Sequence, residues 1–162
     1  MRDIQIICVC GDSPDGSQNI LQEYADRDSR IQVIDKPNEG YGKTMNHAIE
    51  SASGEYIGIV EPGDWITQDF YETLYSIAKK HDIEVVKSRS IRFDDKPMPE
   101  CDTERAVFYV QPSIWSAIYK REFLNANGIR FLETPDEFSR DTSFNTNVWA
   151  KANRVYFETM YK

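Results

Sequence analysis

The stretch Glu61-Pro62-Gly63-Asp64-Trp65 carries two carboxylates three residues apart on a Pro-Gly turn, just after an apolar run that reads as a strand. Two carboxylates so placed suit a hard divalent cation such as Mg2+ or Mn2+, which prefers oxygen ligands and leaves coordination positions for substrate phosphates. The same residues also make an ordinary acidic turn, with Asp64 stabilising the bend and Glu61 left in water. Lys43 stands between Gly42 and Thr44 where a helical pattern begins. A lysine there can meet a diphosphate, because helix N-termini favour anions, or it can remain a solvated surface charge. Trp65 and Trp115 can stack on a sugar or base ring, or fill a core. Cys8, Cys10 and Cys101, with only His47 and His81 beside them and no zinc-finger spacing, read as reduced thiols of a cytosolic protein.

These residues need a scaffold, and the chain is long enough to make one. Its 162 residues are 40% apolar and 28% charged, a composition that excludes disorder as the main reading. With 27 acidic against 19 basic side chains the net charge is −8, which disfavours nucleic acid as a partner, since an acidic surface repels a phosphate backbone. No apolar run approaches the roughly 18 residues of a membrane span. The opening Met1-Arg2-Asp3 runs straight into a strand pattern, so no secretory leader is expected.

Short apolar runs alternate with amphipathic stretches. Strands are expected at 4–10, 31–34, 55–60 and 83–88. Between them lie helices whose buried stripes would be Ile20, Leu21, Tyr24 and Ala25; then Tyr41, Met45, Ala48, Ile49 and Ala52, capped by Gly54; then Phe70, Leu74, Ile77 and Ala78, opened by Thr67. Residues 93–110 read as irregular or hairpin structure, followed by helices at 120–127 and 142–152 and a last strand at 155–157. The expectation is an α/β fold, a mostly parallel sheet with helices on both faces. One domain would span 1–162, with a nucleotide-binding half (1–90) and an appended half (91–162). Ligands in such sheets bind beyond the carboxyl ends of the strands, which directs attention to 10–17 and 61–65.

Read together, "GEYIGIVEPGDWI", "NEGYGKTMNHAIESASG" and "CGDSPDGSQNILQEYA" resemble a family 2 glycosyltransferase, a bacterial enzyme of the GT-A fold. "PSIWSAIYKREFLNANGIRFLETP" and "RDTSFNTNVWAKA" resemble the acceptor-side segment of the same family. The resemblance implies an inverting glycosyltransferase of cell-surface polysaccharide synthesis. It would move a sugar from a nucleoside-diphosphate donor, a UDP-sugar first, to a saccharide or lipid-linked acceptor. The setting would be cytoplasmic, with the inner membrane face as its working surface.

Carried over residue by residue, Asp64 matches the usual metal ligand of the family's acidic motif and Glu61 its first acid, while Gly63 replaces a frequent third carboxylate. Asp141 matches the aspartate that takes the acceptor proton, with Arg140 where the family has Glu or Gln; an N-cap is the alternative role for Asp141. Asp12 and Asp15 fall in the nucleotide-contacting loop, where Cys10 and Gly11 replace two acids. Asn46 aligns with a frequent family asparagine, read as structural. The family's usual first strand and helix have no counterpart here, so the resemblance implies an amino-terminally truncated fold. An uncovered sheet edge would then favour a homo-oligomer. The alternative function is an incomplete or inactive glycosyltransferase-fold module that binds nucleotide or a partner.

Overall fold

The computed structural model describes residues 3–11, 14–37, 39–89, 113–134 and 140–161. The amino-terminal elements are β1 (Ile6–Cys10), α1 (Ser17–Arg27), β2 (Ile31–Asp35) and α2 (Tyr41–Ser51). After them come β3 (Tyr56–Gly58), α3 (Phe70–His81), β4 (Val85–Arg89), β5 (Ala117–Lys120), α4 (Arg121–Ala126), α5 (Arg140–Lys151) and β6 (Val155–Tyr161). They form two compact units: Arg2–Gly54 with Arg130–Arg140, and Glu55–Ile129 with Asp141–Lys162. The division falls after Gly54. The reading of 93–110 lies outside the described residues.

In the first unit, β1 and β2 pair in parallel from Ile6–Ile31 to Cys10–Asp35, and α1 makes the crossover. Its stripe is less covered than the periodicity implies: Ile20 and Tyr24 are 56% and 57% exposed, and no residue of α1 is buried. A sheet of two strands offers too little surface to cover a helical face. Helix α2 buries Gly42, Asn46 and Ile49. It stops at Ser51, where Ala52 turns extended and its N–H reaches the Ile49 carbonyl at 3.3 Å, so Gly54 is not the cap. A Cβ on Gly42 would overlap the Leu132 carbonyl; glycine is what lets 130–133 lie against α2. The Asn46 amide then ties the two together. Its Nδ2 donates to the Phe131 carbonyl (3.0 Å) and to Glu133 Oε1 (2.9 Å), and its Oδ1 accepts the Phe131 N–H (2.8 Å).

The second unit is a four-stranded sheet in the order β3-β5-β4-β6. Strand β5, absent from the sequence reading, is antiparallel to β3 and β4, whereas β4 and β6 are parallel. The α/β class holds, with this one reversed strand near the middle. On one face, Phe70, Leu74 and Ala78 of α3 pack with Ile83, Val86 and Ile118. Side chains alternate across a strand, so Tyr119 points the other way. There it meets Phe144 of α5 edge to face, ring centroids 5.4 Å apart. Helices therefore cover both faces of this sheet.

Two helix starts differ from the sequence reading. Asp69, not Thr67, occupies the N-cap of α3; the Thr67 hydroxyl donates to Asp69 Oδ1 at 2.8 Å. Helix α5 begins at Arg140, so Asp141 lies in its first turn and not before it. An acid in that turn is favoured by the helix dipole.

Candidate functional site

The acidic pair sits where β3 runs out. Ile59 is buried and Val60 exposed, and the chain then folds back, the Asp64 N–H donating to the Glu61 carbonyl at 3.1 Å. Gly63 has φ 93°. Proline at the second position and a positive φ at the third define a type II turn, which explains the glycine at position 63. Asp64 is exposed and Glu61 half-buried. Trp65 projects into solvent, 66% exposed, so it does not serve as a core residue.

Asp141 belongs to the same unit but to a different environment. On α5 it precedes Phe144, Asn145 and Val148 at helical spacing, and all three are buried. Asp141 is half-buried, with Oδ1 shut away from solvent. Beneath α5 lie Tyr119 of β5 and Lys87 of β4. Lys87 shares that face because Val86, its neighbour, points into the α3 core. It is 3% exposed. Its Nζ donates to the Ser113 carbonyl and to Ser113 Oγ (3.0 Å), and Ser113 and Ser116 join their hydroxyls at 3.1 Å. The Tyr119 hydroxyl donates to the Ile114 carbonyl at 3.0 Å.

Burial pulls the Lys87 ammonium down to about pKa 7, and the Asp141 carboxylate draws it part of the way back. Burial raises the Tyr119 phenol, and the same carboxylate raises it further. Asp141, Lys87 and Tyr119 are thus one electrostatic group. The sequence reading missed Lys87. The available signal was Val85, an apolar residue two positions back on the same strand face.

Other expected site residues lie in the first unit. Asp15 shapes the turn that opens α1: Oδ1 accepts the Ser17 N–H (3.0 Å) and hydroxyl (2.6 Å), and these bonds lower its pKa. Lys43, in the first turn of α2, pairs with Glu39 Oε1 at 2.7 Å, which raises its pKa. Asp12 and Cys101 lie outside the described residues.

Among the described residues no three His, Cys, Asp or Glu side chains cluster as a metal cage. What Glu61 and Asp64 supply is two carboxylates on one turn, the donor number that Mg2+ takes when phosphate and water complete its shell. The donor chemistry fits. No helix among the described residues is long and apolar enough to cross a membrane.

A sheet flanked by helices, with carboxylates beyond a strand end, is an α/β scaffold, and comparison with known proteins places it in a family. The family model for "Glycosyl transferase family 2" matches residues 1–141. The chain belongs to that family. It is 29% identical to the "Uncharacterized glycosyltransferase EpsJ" of Bacillus subtilis, across 96% of this chain and 50% of that protein. It is also 29% identical to a poly(ribitol-phosphate) beta-glucosyltransferase of Bacillus spizizenii, across 99% of this chain and 27% of that one. Among solved structures, S. aureus TarS 1-349 in complex with UDP-GlcNAc superimposes with a TM-score of 0.81 at 20% identity, covering 98% of this chain and 49% of that chain. At that identity the likeness speaks for the fold. The chain spans about half the length of EpsJ and less than half that of several other relatives.

Proposed function

We propose that this chain bears the donor site and the base of an inverting glycosyltransferase that uses a nucleoside-diphosphate sugar, UDP-linked in the first instance. The observation that carries this reading is the setting of Asp141, in the first turn of α5 with one carboxylate oxygen buried. A base of that kind must be held by the protein yet keep an oxygen within hydrogen-bond reach of the attacking hydroxyl. In the proposed reaction an acceptor hydroxyl oxygen attacks the anomeric carbon and its proton passes to Asp141. The bond from that carbon to the diphosphate breaks, and the nucleoside diphosphate departs. Asp64, with Glu61, would hold a divalent cation, which when bound offsets charge on the diphosphate. Asp15 and Lys43 belong to the donor side in this reading, Lys43 exchanging Glu39 for phosphate. The acceptor is a saccharide or a lipid-linked saccharide of cell-surface polymer synthesis, and the reaction is cytoplasmic.

The test is thermal unfolding with UDP, with and without Mn2+. A ligand that binds only the folded state stabilises by about 2.7 kcal/mol at a hundredfold excess over Kd. Wild type and Asp141→Asn should both show a Mn2+-dependent rise, and Asp64→Asn should not. Loss of the rise in both folded variants would refute the separation of roles.

A further inference from the structure

Lys87 is the one buried cation of the second unit's described residues that the donor and base assignments leave unused. An ammonium 3% exposed is costly unless something nearby needs its charge. Among the described residues its hydrogen bonds go to Ser113, a carbonyl and a hydroxyl, neither of which carries charge. Those partners fix its position without neutralising it. The anionic group that acts on it comes from the helix above: Asp141 of α5.

The placement of the two residues is set by packing. Strand alternation puts Lys87 and Tyr119 on the face of the sheet covered by α5. The Tyr119–Phe144 ring contact fixes the helix over that face, and Asp141 lies one turn before Phe144. The titratable groups around the lysine are then Asp141 from α5, Tyr119 from β5 and, acting on Tyr119, Tyr71 from α3. Burial pushes Tyr71 up to about 12 and raises Tyr119 as well, so both phenols remain neutral across the working range. Among the described residues the lysine and the aspartate are the two that exchange protons there.

We propose that Lys87 is a positioning residue for Asp141: a buried positive charge that holds the carboxylate ionised and oriented for accepting a proton. What Asp141 then does rests on the glycosyl-transfer reading; the coupling between the two side chains does not. The lysine also gives the pair a pH response. Below neutrality the ammonium is present and restrains the carboxylate's basicity. Above it the lysine becomes neutral and Asp141 becomes the stronger base.

The experiment is a carboxyl-carbon NMR titration of Asp141 from pH 3 to 10, the resonance assigned with Asp141→Asn. In wild type a main titration should be followed by a second, smaller inflection near pH 7. In Lys87→Met the second inflection should vanish and the main midpoint rise by about one pH unit, the effect of removing a nearby opposite charge. Lys87→Arg, which stays charged, should lose the inflection and keep the low midpoint. An unchanged Asp141 titration in folded Lys87→Met overturns the proposal. If that variant does not fold, the absence of the inflection in wild type overturns it. The UDP and Mn2+ experiment runs separately on the same wild-type protein. A moved titration without UDP stabilisation would sink the donor reading and support the Lys87–Asp141 coupling.

Discussion

Tyr119 and Phe144 meet with their ring planes at 89° and their centroids 5.4 Å apart, and both are fully buried. This contact holds α5 against β5 and so determines where Asp141 stands. Phe144→Ala should cost about 3–5 kcal/mol through the cavity it leaves. Phe144→Leu should cost less, because it keeps most of the volume. Urea midpoints of the two variants check the ranking; equal losses would show that α5 is held by other contacts.

Asn46 satisfies both backbone groups of Phe131 at once. Asn46→Ala leaves a buried N–H and a buried carbonyl without their partner, at about 1–3 kcal/mol each before relaxation. Asn46→Asp keeps the acceptor, loses the donor and adds a charge beside Glu133, so it should be no better tolerated than alanine. Denaturant melts of the pair decide this, and an aspartate variant close to wild type would contradict the clamp.

Tyr71 lies with its ring against Gly58 of β3, and its buried hydroxyl has no hydrogen-bond partner among the described residues. Removing the hydroxyl should therefore be neutral or favourable: Tyr71→Phe is expected within about 1 kcal/mol of wild type or above it. Gly58→Ala should destabilise by about 1–3 kcal/mol, because its Cβ would occupy space now held by the Tyr71 ring. Chemical denaturation of both variants checks the opposite signs.

Lys87 also makes a prediction about stability. Its folded pKa of about 7 lies below the ordinary 10.5. Between those values the unfolded chain holds a proton that the folded chain has released, so stability contributed by this group rises as pH increases from about 7 toward 10.5. Wild type should gain on Lys87→Met across that window. Urea midpoints of both proteins at pH 6.5, 8 and 9.5 measure the difference, and a constant gap would show that Lys87 keeps its proton throughout.

The helices and most strands were legible because their side-chain periods are local. Phe70, Leu74 and Ala78 announce α3 by spacing alone and are buried as that spacing implies. Strand β5 was not legible. Its four residues run directly into α4 without a turn residue between them, and its strand character comes from pairing with β3 and β4, residues 30 to 64 positions earlier by the registers of Lys87 with Ala117 and Tyr56 with Lys120. Asp64 and Asp141 could be singled out through the family pattern, and Gly63 is explained only by the backbone angle of its turn. Lys87 was hidden for another reason: a lysine at an alternate strand position ordinarily marks a solvated face, Val85 on that face was the one counter-signal, and the helix packed over it decides the matter.

The position of β5 also bears on synthesis. Strands β3 and β4 do not pair with each other; each pairs with β5. A nascent chain that has left the ribosome as far as β4 thus carries two strands whose shared partner has not yet emerged; β5 can join them only once residue 120 is out, and β6 completes the sheet later still. Until then the apolar side of α3 has no finished sheet to rest on, and this interval is where a chaperone would be most useful and where slow translation would do most harm.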